Sequence, residues 1–140
     1  MKPVKILLSA VALLWAVQIP LTAFAQEDMP EVKTSNGVAY TSGGVGEMER
    51  EAMKEHARDY NLRLTFAVKS GGYLANVKVD IKNAKGHPLV ADVSDGPWFY
   101  AKLPPGKYKV FAESEGKCKT RNVTVAKGRV VMAKMIWPDE

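Results

Sequence analysis

Residues 103–110 read Leu103-Pro104-Pro105-Gly106-Lys107-Tyr108-Lys109-Val110 and decide the fold of this 140-residue chain. The two prolines fix the backbone φ and mark a turn, and a glycine follows where the chain can take a positive φ. After the turn, apolar residues alternate with lysines, which is the period of two of a half-buried β-strand. The stretch therefore predicts the end of one strand, a rigid turn and the start of the next strand.

The same period of two recurs elsewhere in the chain. Apolar and polar residues alternate in residues 62–69, 77–82 and 107–113. Turns rich in Gly, Pro, Ser and Asn delimit further strands at residues 89–93, 98–103, 117–125 and 129–137. No long helical pattern separates these segments, which favours an antiparallel sheet over βαβ units. Turn signals at this spacing predict a mostly-β chain, folded as a single antiparallel β-sandwich of about seven strands.

One α-helix is predicted before the sandwich, at residues 45–61. Glutamates crowd its first turns, where negative charge suits the helix dipole, and Asn61 marks its end. Residues 26–44 combine Gly, Pro, Ser and Thr with scattered apolar residues and predict a flexible N-terminal arm, in which residues 38–40 could add a short strand. The sandwich itself is predicted at residues 62–140.

The N-terminus has the three-part layout of a secretory signal peptide. Lys2 and Lys5 precede an apolar run at residues 6–21, and a small-residue site follows at Ala23-Phe24-Ala25. A spanning helix needs about 20 apolar residues, and this run is shorter and contains Pro20. We therefore predict a signal peptide at residues 1–25, cleavage after Ala25, and a periplasmic or secreted protein without stable membrane insertion.

Charge is unevenly spread along the predicted mature chain. Residues 26–60 hold 4 basic and 8 acidic residues, whereas residues 61–140 hold 14 basic and 7 acidic ones. The acidic part and the basic body could attract each other, or the body could face an anionic partner. Nucleic acid is a poor fit for an exported chain, but an anionic envelope polymer stays open for the strand lysines Lys78, Lys82, Lys85, Lys102, Lys107 and Lys109.

Residues 75–137 resemble the carboxypeptidase regulatory-like domain, a transthyretin-like (prealbumin-like) β-sandwich. The similarity lies in residues 75–81, the Lys85-Gly86 loop, residues 103–110, the turn at Gly116 and a final valine-rich strand pair. The resemblance implies a fold that peptidase accessory domains, surface stalks and binding modules share. Exported proteins that pair such a domain with a short helix resemble small bacterial envelope proteins. A transthyretin-like branch that hydrolyses 5-hydroxyisourate ends in Tyr-Arg-Gly-Ser, a motif absent from this chain, so no catalytic residue is carried over.

Candidate catalytic groups are sparse. Only His56 and His87 could serve as a base, and neither has a recognisable Ser or Cys motif beside it, so a hydrolase is a remote alternative. Cys118 is the only cysteine, which excludes an internal disulfide, and we expect it to be a small buried residue. Asn122-Val123-Thr124 is a glycosylation sequon, which matters only in a pathway that glycosylates. No cofactor is predicted.

A metal site is the alternative from another class. Met53 and His56 lie three residues apart on one face of the predicted helix, and soft ligands of this kind would suit copper(I) in a small periplasmic metal-handling protein. Methionine at helical spacing is, however, more often part of a core.

Trp98 and Tyr100 are the candidate binding residues. In a strand they share one face while Phe99 takes the other. If Phe99 points inward, the pair is exposed near Asp95 and could stack on a sugar or anchor a protein. Alternatively, the predicted helix covers both rings and they belong to the core.

These observations predict a non-enzymatic binding or interaction module of the bacterial periplasm or cell envelope. Its partner would be an envelope protein or a glycan, held at the Trp98/Tyr100 face, by the acidic helix, or by strand addition at a free sheet edge. The oligomeric state and the identity of the ligand stay open.

Overall fold

The computed structural model describes residues 30–139, and the predicted signal peptide lies outside them. One helix, α1 (Glu47–His56), lies within the range predicted for it and continues into a 3-10 turn at Ala57–Asp59. The strands are β1 (Lys33–Ser35), β2 (Val38–Gly43), β3 (Leu62–Val68), β4 (Val77–Asn83), β5 (Pro88–Ser94), β6 (Trp98–Lys102), β7 (Gly106–Ser114), β8 (Lys117–Val125) and β9 (Val131–Trp137).

The strands form two sheets that pack face to face, which confirms the predicted mostly-β sandwich. Sheet A has the order β1-β2-β6-β3-β9, and sheet B has the order β5-β4-β7-β8. All strand pairs are antiparallel except β3 and β9, which run parallel with Leu62 opposite Val131. The antiparallel prediction fails for this pair because the chain crosses from sheet B after β8 and enters β9 beside the start of β3, where the Val131 N–H donates to Asn61 O.

The inner faces of the two sheets supply the main core. Along β3 the side chains of Leu62, Leu64 and Phe66 are fully buried, and Val77 and Ile81 of β4 face them from sheet B. Burying one such side chain stabilises the fold by about 1.5–3 kcal/mol. The alternation that predicts the strands thus also predicts which residues hold the sheets together.

Residues 33–43 are a β-hairpin and not part of a flexible arm, which corrects the prediction for this part of residues 26–44 and raises the strand number from about seven to nine. Asn36 and Gly37 form the turn with φ of 49° and 77°, the left-handed backbone that a tight two-residue hairpin requires. β2 pairs with β6, and the Tyr40 ring stacks on Phe99 with centroids 5.6 Å apart. The Asn-Gly dipeptide is a hairpin signal that the prediction of an arm overlooked.

The stretch from Leu103 to Pro105 carries the chain from sheet A to sheet B. Proline lacks an N–H and cannot extend a ladder, so the chain leaves sheet A here. The Asn61 side chain takes over the next ladder position: its Nδ2 donates to Leu103 O at 2.7 Å, and the Leu103 N–H donates to its Oδ1 at 2.8 Å. The Tyr108 hydroxyl donates to Pro104 O and fixes the turn against β7.

Helix α1 packs on the outer face of sheet A and makes a second apolar cluster there. Met53, Ala57 and Tyr60 lie against Tyr100 of β6, and Trp98 packs beside them. A Cβ at Gly44, where φ is +95°, would lie 3.2 Å from the Trp98 ring, so the close approach of the helix lead-in requires glycine. No helix within residues 30–139 has the length and apolar character needed to cross a membrane.

Asp92 ties the β1–β2 hairpin to sheet B. Its Oδ2 accepts hydrogen bonds from Lys33 Nζ at 3.1 Å and from the Tyr40 hydroxyl at 2.9 Å. Burial raises the pKa of Asp92, but the hydrogen bonds from Lys33, Tyr40 and the Val93 N–H outweigh burial and hold the pKa below its usual value of 3.8.

We expect Asn61→Ala to lower the free energy of unfolding by about 2–3 kcal/mol, because it leaves both backbone groups of Leu103 without their partners. Asn61→Asp keeps the acceptor and loses the donor, so its loss should be smaller. Urea unfolding gives these values, with the exposed Asn122→Ala as the matched control. Equal unfolding midpoints for Asn61→Ala and the control would contradict a stabilising role of the two Asn61–Leu103 hydrogen bonds.

We expect Asp92→Asn to make stability less dependent on pH. The depressed pKa means that the Asp92 carboxylate stabilises the fold above pH 3.8, and that this contribution disappears as the pH falls through the folded-state pKa. The difference in unfolding free energy between wild type and variant should therefore be largest near neutral pH and shrink in acid. Urea titrations over a pH series measure it, and a difference that stays constant would refute the assignment.

Candidate functional site

The outer face of sheet A is ordered in cross-strand rows. One row runs across β2, β6, β3 and β9 through Thr41, Tyr100, Arg63 and Met132. The next row runs through Gly43, Trp98, Thr65 and Lys134. Because α1 covers the β2 and β6 ends of these rows, a groove of about 490 Å³ remains between the helix and β9. We call it the helix groove.

Trp98 and Tyr100 form the floor of the helix groove beside α1, in line with the alternative in which the helix covers both rings, and not an open aromatic pair. Tyr100 is 7% exposed and packs on Tyr60, and Trp98 is partly buried with its ring nearly parallel to that of Tyr100. Phe99 points into the main core as expected, so the outward rings find their apolar cover in α1. Asp95 lies in the exposed turn before β6, where its N–H donates to Ser42 Oγ, and does not line the groove.

Positive charge dominates the helix groove. Lys54, Arg63 and Lys134 line it, and no Asp or Glu of the described chain does. Lys54 is partly neutralised by Glu51, whose Oε1 lies 3.0 Å from its Nζ. Arg63 Nε donates to Ala57 O at 3.1 Å. The 3-10 turn that follows α1 thus holds the guanidinium of Arg63, while the two terminal amino groups of this guanidinium have no partner among residues 30–139.

Tyr100 offers a second donor beside Arg63. Burial raises the pKa of Tyr100 above its usual value of 10.0, although the nearby Arg63 opposes this shift. The hydroxyl is therefore neutral at physiological pH, and it forms no hydrogen bond within the described chain. Among the described residues, Asp80 Oδ1 is the only fully buried side-chain nitrogen or oxygen without a partner, so the Tyr100 hydroxyl reaches the solvent in the groove and is free to donate to a ligand.

This arrangement suits recognition of a carboxylate. A guanidinium can donate two parallel N–H bonds to a carboxylate, and a hydroxyl can donate a third. Trp98 and the 73% exposed Met132 provide apolar surface beside these donors. The groove can therefore hold a ligand that carries a carboxylate next to an apolar group.

The two candidate metal ligands are in different environments. Met53 is 2% exposed in the cluster beneath α1, whereas His56 is exposed and its Nδ1 lies 3.8 Å from Asp59 Oδ2. Within residues 30–139, no three His, Cys, Asp or Glu side chains are grouped so that they could hold a metal ion. The helix therefore uses Met53 for packing and leaves His56 at the surface.

Cys118 is exposed, which corrects the expectation of a buried residue. It lies on β8, an edge strand, and pairs with Glu113 on the outer side of sheet B. His56 belongs to the helix on the outer side of sheet A, and His87 is an exposed residue of the turn between β4 and β5. The sandwich thus separates Cys118 from His56.

Sequence reasoning did not find Arg63, Thr65, Met132 or Lys134 as site residues. Each lies at an outward position of its strand, which the alternation in β3 and β9 does predict. The parallel pairing of β3 with β9 brings these four residues together. No local sequence pattern predicts a pairing between segments so far apart in the chain.

The comparison with protein-family models and the comparison with curated proteins both give no match for this chain.

We expect Met53→Ala to lower the free energy of unfolding by about 2–4 kcal/mol, because it opens a cavity beneath α1. His56→Ala on the same helix should change it by less than about 0.5 kcal/mol. Thermal unfolding compares the two variants, and Cu(I) titration of each provides the control. Equal loss of stability, or a Cu(I) affinity that falls in both variants, would instead support a shared metal site.

Proposed function

We propose that this chain is an exported, non-enzymatic binding module of the bacterial periplasm or cell envelope, and that its helix groove holds a carboxylate-bearing ligand. The observation that carries the proposal is the pairing of the Arg63 guanidinium, held by Ala57 O, with the Tyr100 hydroxyl, which has no hydrogen-bond partner among residues 30–139, in a groove that no described carboxylate lines.

The size and lining of the helix groove support a ligand of modest dimensions. Small-molecule pockets typically measure about 300–1,000 Å³, and this groove falls within that range. A carboxylate would accept hydrogen bonds from Arg63 and Tyr100, and an adjacent apolar group would lie between Trp98 and Met132. A short peptide with a free apolar C-terminus has this chemistry.

The other parts of the proposal rest on sequence patterns. Export rests on the layout of residues 1–25, and kinship with the carboxypeptidase regulatory-like domain rests on residues 75–137, in particular the turn at residues 103–110. The two-sheet sandwich is compatible with that kinship, whose members include binding modules. The metal-handling and hydrolase alternatives lack comparable support, because Met53 packs in the core and Cys118 and His56 lie on opposite faces.

Two dipeptides that differ in one group test the proposal on the mature chain, residues 26–140. We expect N-acetyl-Leu-Leu with a free C-terminal carboxylate to bind at least about tenfold more tightly than the same dipeptide as its amide, because charge-assisted hydrogen bonds are lost in the amide. Isothermal titration calorimetry gives both affinities, and backbone amide shifts in NMR locate the site.

Variants of the groove sharpen this test. Arg63→Lys should weaken binding of the acid about tenfold, since lysine cannot form the bidentate pair, and Tyr100→Phe should weaken it several-fold. Lys102→Gln removes one positive charge from the same sheet outside the groove and should leave the affinity unchanged. Equal affinity for acid and amide, or no saturable binding of the acid at millimolar concentration, would contradict the proposal.

A further inference from the structure

The outer face of sheet B carries a second concentration of positive charge, on the opposite side of the molecule from the helix groove. Register places Lys82 of β4 directly opposite Lys109 of β7, with Asn122 of β8 next in the row. The adjacent row holds Phe111. Because α1 lies on sheet A, no described helix covers this face.

Lys82 and Lys109 are held together at a cost. Like charges that face each other on neighbouring strands destabilise a sheet. Their ammonium groups lie 5.1 Å and 5.9 Å from the centroid of the same ring, that of Phe111, and neither forms an ion pair with any residue in 30–139. The aromatic ring thus gathers two ammonium groups that no described carboxylate neutralises.

A cavity of about 590 Å³ lies beside this pair. Lys82, Lys107 and Lys109 line it, together with the Asn122 amide and the Thr124 hydroxyl, and no Asp or Glu of the described chain does. Neither the amide nor the hydroxyl has a hydrogen-bond partner within residues 30–139. The carboxylates of this face, Asp80 and Glu113, line the neighbouring depression, which shares Lys82 and Phe111 with this cavity.

We propose that the lysine face, defined by Lys82, Lys107, Lys109, Asn122 and Thr124, binds an acidic polysaccharide. The lysines lie two residues apart along β7 and opposite each other across β4 and β7, so a chain with regularly spaced carboxylates can engage several of them at once. The Asn122 amide and the Thr124 hydroxyl match sugar hydroxyls. This site is independent of the carboxylate site in the helix groove.

Two other polyanions fit the observations less well. A nucleic acid would stack its bases on a free aromatic ring, and the two lysines already occupy Phe111. A lipid surface would require apolar side chains that insert, and among the described residues the only large apolar residue counted as exposed on this face is Val93. The concave, hydroxyl-compatible lining favours a hydrated sugar chain.

Polygalacturonate is the probe, with dextran as the neutral polysaccharide and poly-glutamate as the polyanion without sugar rings. We expect the mature chain to bind polygalacturonate, with an affinity that falls as the salt concentration rises, and not to bind dextran. Lys82→Gln/Lys109→Gln should weaken binding at least about tenfold. Lys69→Gln/Lys127→Gln has the same net charge, with both changes in exposed turns, and should keep the wild-type affinity.

The neutral side chains of Asn122 and Thr124 allow binding of an acidic sugar chain to be distinguished from binding of any polyanion. Asn122→Ala/Thr124→Val should weaken polygalacturonate binding about fivefold and leave poly-glutamate binding unchanged. Biolayer interferometry measures all affinities, and circular dichroism confirms that each variant is folded. Equal losses in the two lysine double variants, no binding of polygalacturonate, or tighter binding of poly-glutamate or anionic vesicles would each overturn the proposal. None of these results bears on dipeptide binding at the helix groove.

Discussion

The helix groove depends on the position of one residue, Asn61. Its side-chain amide bonds both backbone groups of Leu103, where the following prolines cannot extend sheet A, and its backbone carbonyl oxygen accepts the N–H of Val131. The first contact ends β6 and sends the chain into sheet B, and the second brings the returning chain in parallel to β3. Without that alignment, Met132 and Lys134 would not lie beside Arg63 and Thr65.

Local patterns predict most of the sandwich because alternation is a local property. In β3, β4, β7 and β9 every second residue along most of the strand is apolar, and most of these positions are the ones that the two sheets bury. The hairpin at residues 33–43 was not predicted from the sequence, because its strands are short and rich in small polar residues. Burial of Tyr40 and its hydrogen bond to Asp92 stabilise the hairpin, and both come from partners about 50 residues away.

The candidate sites were predicted less well, because each is formed by side chains from different strands or from the helix and a sheet. The face shared by Trp98 and Tyr100 follows from strand geometry, but whether a helix lies on it depends on Gly43 and Gly44, which let α1 approach the rings. The Lys82–Lys109 pair likewise depends on the register of β4 against β7. Single-strand patterns show these lysines only as ordinary outward residues.

The charge of α1 sharpens the interpretation of both faces. An acidic helix on a basic body would be expected to neutralise it, yet Glu51 pairs with Lys54 of the same helix, and no α1 glutamate forms an ion pair with a strand lysine in the described chain. Isolated surface lysines need no explanation, because water solvates them at little cost. Lys82 and Lys109, in contrast, face each other over one ring without an ion pair in the described chain, and the Tyr100 hydroxyl has no hydrogen-bond partner there. Both sets of donors are therefore available to a ligand, as the two proposals require.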